Sequence, residues 1–518
     1  MKRRELLQTG GGLIASAALQ TKFPWVSVHA FENSALTAKL ARDPRRPQFH
    51  LLPKANWMND PNGPIFWNGR YHMFFQYNPD GAYWGDMHWA HATSVDMVHW
   101  KHAPIALAPT PGGPDAAGCF SGTAVTSNGV VSILYTGVVN ATAANATLRD
   151  GIHSFRDSQC LATSTDRELN EWSKLPQPVI AVPPSGLTVT GFRDPSAWRS
   201  GDWWYLTVGS GTPHKGGNVL LYRSKDLRHW EYMHALTSGP GSSRQTVNPV
   251  ASGDMWECAE LFPVGGKHVL IYSSMGAVHW QSGHLDEQEM KFHPDRSGIV
   301  DNGTYYAAKT QLDAQGRRIL WGWIGEARAV AEYKAAGWAG MMSLPREVGV
   351  GDNGQLMMEV SREVEALRRQ ERKLLPGNNV ASQLEHFIIA KATGEMLAKL
   401  ERGREPFTID LVGALPGGPM SIPLVTLEYS PNAPEQITMD GKQISIQGSK
   451  EDQLELHAYF DGSVAEVFLQ RSVAYTKRFY YRGSVAPDIR LVLKGRSQAL
   501  ESLSMWQLEP ISPDRLTS

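Results

Sequence analysis

The chain is poor in several features that mark particular protein classes. Only three of its 518 residues are cysteines, Cys119, Cys160 and Cys258. They form no C-x-x-C pair, which argues against a structural zinc site, and an odd trio makes no disulfide framework, so all three are expected as buried thiols. An excess of either charge is missing too: 50 basic residues face 51 acidic ones, a net charge of -1. Nucleic acid and anionic membranes need a basic surface, so neither is expected as a partner. No stretch reaches about 18 unbroken apolar residues, so the mature chain is expected to have no membrane span. Long Ala/Glu/Lys/Leu runs are scarce, which argues against a helical bundle. What the chain has instead is 17 Trp, 16 Tyr, 16 Phe, 49 Gly and 32 Pro, a mixture suited to many short strands and turns. Its length exceeds the roughly 250–300 residues of a single core, so two folded domains are expected.

The N-terminus reads Met1-Lys2-Arg3-Arg4-Glu5-Leu6-Leu7, followed by a short Gly/Ala-rich apolar run. Paired arginines before such a run resemble a bacterial twin-arginine export signal over residues 1–30. The expectation is an exported protein, periplasmic or extracellular, cleaved near Val28-His29-Ala30 or Ala15-Ser16-Ala17.

Internal repetition follows. Ser94-Val95-Asp96-Met97-Val98-His99-Trp100 returns as Ser224-Lys225-Asp226-Leu227-Arg228-His229-Trp230, with a looser copy at Ser164-Thr165-Asp166 and Trp172. Each copy follows an apolar or aromatic stretch, which reads as a strand, an Asp-anchored turn, and a Trp folded back on the sheet. A second phrase, a strongly β-prone run ending near Gly or Asn, recurs at Tyr71–Asn78, Val130–Gly137, Trp203–Gly209, His268–Gly276 and Arg318–Gly325. Five such units predict a five-bladed β-propeller over residues 48–350, with chemistry drawn from several blades at the axis. A generic β-sandwich is the alternative. Residues 351–381 read as a linker, with a helix at Ser361–Leu375 carrying Val364, Leu367 and Leu374 on its apolar positions. From 382 to 518 alternating strands return, with Asp461-Gly462 as a hairpin turn, predicting a second, smaller β-sandwich. The fold class is thus all-β.

Three acids sit in unusual company. Asp60 lies in Trp57-Met58-Asn59-Asp60-Pro61-Asn62-Gly63, read as a tight turn between apolar walls. A carboxylate so fixed can serve as a nucleophile, or simply cap the turn. Asp194 lies in Phe192-Arg193-Asp194-Pro195, where Arg193 could hold it ionised or close a loop with it. Glu257 lies in Trp256-Glu257-Cys258. Burial there would raise its pKa and keep it protonated near neutral pH, which is what a general acid requires. Glu260 is its local rival. Carboxylates of contrasting environment form the usual kit for glycosidic cleavage, and Trp84, Trp89, Phe120 and Trp321 are aromatic faces available to sugar rings.

These motifs, in this order, resemble the signatures of glycoside hydrolase family 32, the family of invertases, levanases, inulinases and fructan exohydrolases. Phe75-Gln76-Tyr77-Asn78-Pro79, Trp84-Gly85, Phe120-Ser121-Gly122-Thr123, Tyr305-Tyr306-Ala307, Trp321-Gly322-Trp323 and Asp461-Gly462-Ser463 extend the likeness over about residues 48–515. The resemblance implies a propeller followed by a sandwich, and a retaining two-step hydrolysis of β-D-fructofuranosides such as sucrose, levan or inulin ends. It implies Asp60 as nucleophile, Glu257 as acid and then base, and Asp194 as a holder of fructosyl hydroxyls. Asn59, Gln76, Trp84, Phe120, Ser121 and Arg193 match fructose-pocket positions, and Asp301 is a candidate on the leaving-group side. It implies no metal and no cofactor; the partner is a small-molecule or oligosaccharide fructoside. Ala259-Glu260, Ser121-Gly122-Thr123 and Ala307-Ala308 depart mildly from the family's phrases and bear on substrate preference. Fructosyl transfer and non-catalytic sugar binding are the competing readings. Oligomeric state has no signature in the sequence.

Overall fold

The computed structural model describes residues 34–241, 246–374, 380–415, 421–446, 453–496, 499–513 and 515. The export segment expected over residues 1–30 lies outside them. Among the described residues no helix is long and apolar enough to cross a membrane.

Five sheets, antiparallel but for one pair in the first, follow one another along the chain. Their first strands are Asn56–Trp67, Gly118–Ser127, Phe192–Ser200, Glu257–Val264 and Tyr306–Leu312. Each first strand touches the first strand of the next sheet, and the fifth touches the first, so the five line a closed ring. We number the sheets as blades 1 to 5. The five recurring β-prone runs of the sequence all fall in the second strand of a blade: Arg70–Asn78, Val130–Asn140, Trp203–Thr212, Lys267–Ser274 and Arg318–Ile324. These strands are buried on both faces, which is why they read as nearly continuous apolar and aromatic runs. Tight turns join first to second strands; Asn68-Gly69 and Asn128-Gly129 both take positive φ (48° and 75°, 50° and 78°), the backbone of a two-residue hairpin turn. Trp338–Ala339 closes the ring by pairing parallel to Asn56–Trp57 in blade 1.

The Ser-x-Asp phrase does what its residues suggest. Asp96 Oδ1 accepts from the amides of Val98 (3.0 Å) and His99 (2.8 Å), and Trp100 Nε1 donates to the Met97 carbonyl at 3.0 Å. Asp226 and Trp230 repeat these bonds at 2.9, 2.9 and 3.0 Å. In the looser copy Trp172 Nε1 reaches the Leu169 carbonyl at 2.8 Å.

Two six-stranded sheets then pack face to face over one apolar core that includes Met396, Ile409, Leu427, Leu456, Val467 and Leu503. The expected helix at Ser361–Leu375 is not there over its described residues, 361–374. Arg362–Leu367 forms a short 3-10 turn and Arg368–Leu374 is a strand paired with Leu500–Leu508. Its charged composition favours a helix, but the edge of the first sandwich sheet offers a ladder, and Val364, Leu367 and Leu374 are buried in this conformation too. Tertiary pairing overrides local propensity here.

The propeller and the sandwich meet through buried charge. Asp461 accepts from the amides of Gln48 (2.6 Å), Phe49 (2.8 Å) and His50 (3.0 Å). The His50 ring lies between Asp461 Oδ2 (2.8 Å) and Glu466 Oε1 (2.9 Å). Glu466 in turn takes the Leu344 amide at 2.7 Å and Arg346 Nη2 at 2.5 Å. Burial alone would depress His50, yet its two carboxylate partners raise it to about 9.

Candidate active site

In a regular strand alternate side chains face opposite ways. Yet adjacent residues of the first strands, Asn59 and Asp60, Phe120 and Ser121, Arg193 and Asp194, all line one cavity of about 250 Å³ at the ring axis. The cause is a register break in the first strand of every blade, at Met58/Pro61, Phe120/Gly122, Arg193/Ser196, Glu257/Glu260 and Tyr306/Lys309. Three of these breaks hold a residue at positive φ: Asp194 (62°), Cys258 (52°) and Ala307 (53°). Such bulges re-aim side chains and are known to gather at functional sites. Asp60 thus sits on a bulged strand, not on the tight turn expected from its Asn, Pro and Gly neighbours; Pro61 and Gly63 serve the bulge instead.

The Asp60 carboxylate is clamped from both sides. Asn59 Nδ2 donates to Oδ1 at 2.9 Å and Ser121 Oγ donates to Oδ2 at 2.6 Å. Gln76 Nε2 holds Ser121 Oγ at 3.1 Å, and Trp57 Nε1 holds Asn59 Oδ1 at 2.7 Å. The Cys258 thiol stands 3.8 Å from Asp60 Oδ2 and 3.6 Å from Asp194 Oδ2, and the Cys258 amide donates to Asp194 Oδ2 at 2.9 Å.

Glu257 lies across the cavity. Tyr306 donates its hydroxyl proton to Oε2 at 2.9 Å, and Arg193 Nη1 is 3.6 Å from Oε1. Burial pushes the Glu257 carboxyl up to about 7; Arg193 opposes the shift, and the negative charges of Asp194 and Asp60 add to it. Burial also raises Asp194, against the pull of Arg193. The expected Arg193–Asp194 pair is therefore not what the guanidinium makes: its ion pairs go to Asp157 (3.5 Å) and Glu257 (3.6 Å). Arg193 also stands over the Phe120 ring, 5.7 Å from its centroid.

Asn59, Asp60, Gln76, Trp84, Phe120, Ser121, Arg193, Asp194 and Glu257 all line the cavity. Asp301 does not. It is 1% exposed, paired with Arg346 Nη2 at 2.9 Å and bonded by the Thr476 amide (2.9 Å) and hydroxyl (2.6 Å). Its carboxylate is consumed at the joint between propeller and sandwich. Glu260 is set aside likewise, since it accepts from the amide (3.0 Å) and hydroxyl of Thr310 in blade 5. Trp89 and Trp321 are core residues, at 0% and 1% exposure. Trp84, 39% exposed, and Trp323 supply indole faces at the cavity instead.

Sequence reading did not single out Leu148, Asp150, His153 and Phe155. They belong to the connection inside blade 2. Asp150 Oδ1 accepts from the His153 amide at 2.6 Å, its Oδ2 is 3.0 Å from His153 Nδ1, and the imidazole stacks on Phe155 at 5.0 Å. Asp150-Gly151 is the turn signal that this stretch of sequence offers. Tyr306 and Trp323 were visible in their motifs but carried no role.

Residues 50–360 match the model of the glycosyl hydrolases family 32 N-terminal domain. A sucrose-6-phosphate hydrolase of Escherichia coli is 34% identical over 487 residues, covering 89% of this chain and 94% of that protein. A raffinose invertase of the same species is 39% identical over 349 residues, covering 64% and 67%. Among solved structures, a family 32 β-fructofuranosidase of Bombyx mori superimposes with a TM-score of 0.74 at 26% identity, covering 92% of this chain and 97% of that one.

Proposed function

The chain belongs to glycosyl hydrolase family 32 and is a β-fructofuranosidase-type enzyme, and from that premise we propose that Asp60, Glu257 and Asp194 divide a retaining double displacement among them. The contrast between Asp60 and Glu257 carries the assignment. Asp60 is held in one orientation by two donors, which suits a nucleophile. Glu257 is buried enough to hold a proton near neutral pH, the condition for an acid.

In the first step an Asp60 oxygen bonds to C2 of the fructosyl unit while the C2–O glycosidic bond breaks. The leaving oxygen takes the Glu257 proton. In the second step ionised Glu257 removes a proton from water, the water oxygen bonds to C2, and the ester to Asp60 breaks. Asp194 accepts from fructosyl hydroxyls as positive charge builds on the ring. Arg193 and Tyr306 keep Glu257 aimed at the leaving group.

The same wall bears on the substrate. Asp60, Asp150, Asp194 and Glu257 face a single arginine, whose charge is already shared between Asp157 and Glu257. Among the described residues the lining carries more carboxylates than cations, which disfavours a phosphate group, so we take unphosphorylated sucrose and terminal fructosyl units as the substrates. Export from the cytoplasm rests on the Arg3-Arg4 segment alone.

Asp60→Asn and Glu257→Gln test the assignment. Each is expected to lower fructose release from sucrose by at least ~10²-fold while the urea midpoint holds. Retained activity above roughly a tenth of the unaltered enzyme's refutes the role of the residue concerned. Methanol added as acceptor is expected to give methyl β-fructofuranoside by NMR; the α-anomer would refute the double displacement.

A further inference from the structure

A second cavity, of about 220 Å³, lies behind one wall of the catalytic pocket. The wall is the segment 147–150. Leu148 and Asp150 face the catalytic cavity, while Thr147 and Arg149 line the second one. This is the alternation of an extended chain, so one strand thickness separates the two cavities. The far side is built by Thr190, His214, Thr246 and Asp254. The loop carrying Thr246 is seated on the turn that ends the wall, because a side chain at Gly151 would meet Val247 Cγ1 at 3.1 Å.

Most polar side chains of this cavity are already hydrogen-bonded, and one buried oxygen is not. Asp254 is only 8% exposed, and its Oδ1 has no hydrogen-bond partner among the described residues. Its other oxygen receives the His214 amide at 3.4 Å, and its backbone carbonyl receives the Thr190 hydroxyl at 2.5 Å, so the side chain is held in place. A buried carboxylate oxygen left without a donor carries a desolvation cost that a ligand hydroxyl would relieve. Arg149 adds donors and the His214 ring adds one donor and one acceptor. One guanidinium and one carboxylate cancel, so the cavity favours a neutral ligand rich in hydroxyl groups over an anion.

We propose that this cavity binds a second sugar of an oligomeric β-fructoside, held while the terminal fructosyl unit occupies the catalytic pocket. The proposal rests on the reading of the catalytic site given above and extends it from the bond cleaved to the chain length preferred. The linking sugars pass over the Asp150–His153 turn, whose tip presents Ile152 at 86% exposure. Sucrose, with one sugar beyond the scissile bond, is expected to stay within the catalytic pocket.

The test compares sucrose with a linear β-fructan tetrasaccharide for the unaltered enzyme, Arg149→Ala and Asp254→Asn. Arg149 is exposed and its loss removes no internal bond among the described residues. In Asp254→Asn the amide oxygen keeps the bond from the His214 amide, and the amide nitrogen puts a donor where the unpaired Oδ1 stood. Each variant is expected to raise KM for the tetrasaccharide about tenfold, with kcat on either substrate and KM for sucrose changed less than about twofold. An unchanged tetrasaccharide KM, or an equal loss on both substrates, overturns the second sugar site. If the unaltered enzyme releases fructose from neither substrate, the catalytic reading itself falls, and the two failures are told apart.

Discussion

Removing one hydroxyl from the pocket should move the alkaline limit of activity upward. Tyr306 donates to Glu257 Oε2 at 2.9 Å, and this bond favours the ionised carboxylate. Tyr306→Phe deletes the donor and leaves the ring in place. A hydrogen bond to a charged group contributes about 1.5–3 kcal/mol, and one pKa unit corresponds to about 1.4 kcal/mol. The protonated acid loses part of the same contact, so the net rise is about one unit. Burial already holds Glu257 at about 7. The acid must be protonated in the free enzyme, so activity falls as pH rises through that value and a further rise extends activity to more alkaline pH. The assay is kcat/KM on sucrose across pH, whose alkaline limb reports the free enzyme's acid. The variant's limb should lie about one unit above the unaltered enzyme's, whatever its absolute rate. A limb that stays put or moves down refutes either Glu257 as the acid or the role of the hydroxyl in setting its proton affinity.

Glu466→Gln should lower stability without touching turnover. It leaves the buried Arg346 and His50 short of one negative partner, a loss of roughly 3–5 kcal/mol, read as a lower urea midpoint with kcat/KM at 25 °C unchanged. His50 makes the same joint sensitive to alkali: its folded pKa is raised to about 9, so its contribution is complete below about 6.5 and is lost as pH rises through about 9, visible as a falling midpoint in that window. Burial pushes the Cys119, Cys160 and Cys258 thiols up, Cys160 to about 12. An alkylating reagent at mildly alkaline pH should leave the native enzyme unlabelled and active, with all three thiols reacting only after denaturation; rapid native labelling of Cys258 would contradict its burial.

Repetition was the legible part of the fold. Second strands of blades are buried on both faces, so Tyr71–Asn78 and its four counterparts stand out as β-prone runs, and the Trp of each Ser-x-Asp turn marks where a strand reverses. The acids were legible because Pro, Cys and aromatic neighbours are odd company for a carboxylate. Partnership was not legible. Arg193 adjoins Asp194 in the chain, but the bulge sends the guanidinium to Asp157 and Glu257. Asp301 looked like a site residue by position and is a structural one, because its partners Arg346 and Thr476 lie far away in sequence. The Leu148–Phe155 wall had no signature, since a loop's side chains meet the pocket only through the folded blade. The charged stretch after residue 361 has helical composition, and only a strand some 130 residues later turns it into sheet.

The ring has a consequence for how such a molecule can change over generations. Its five units are architecturally interchangeable but chemically unlike: blade 1 brings Asp60, blade 2 Ser121, blade 3 Arg193 and Asp194, blade 4 Glu257 and blade 5 Tyr306. Copying a blade or deleting one would alter the circumference and part the two acids at once. Variation that spares the inner rim is instead free to accumulate in the connections, as in the blade 2 segment between the two cavities. A lineage of such enzymes can thus acquire new diets without revising its chemistry.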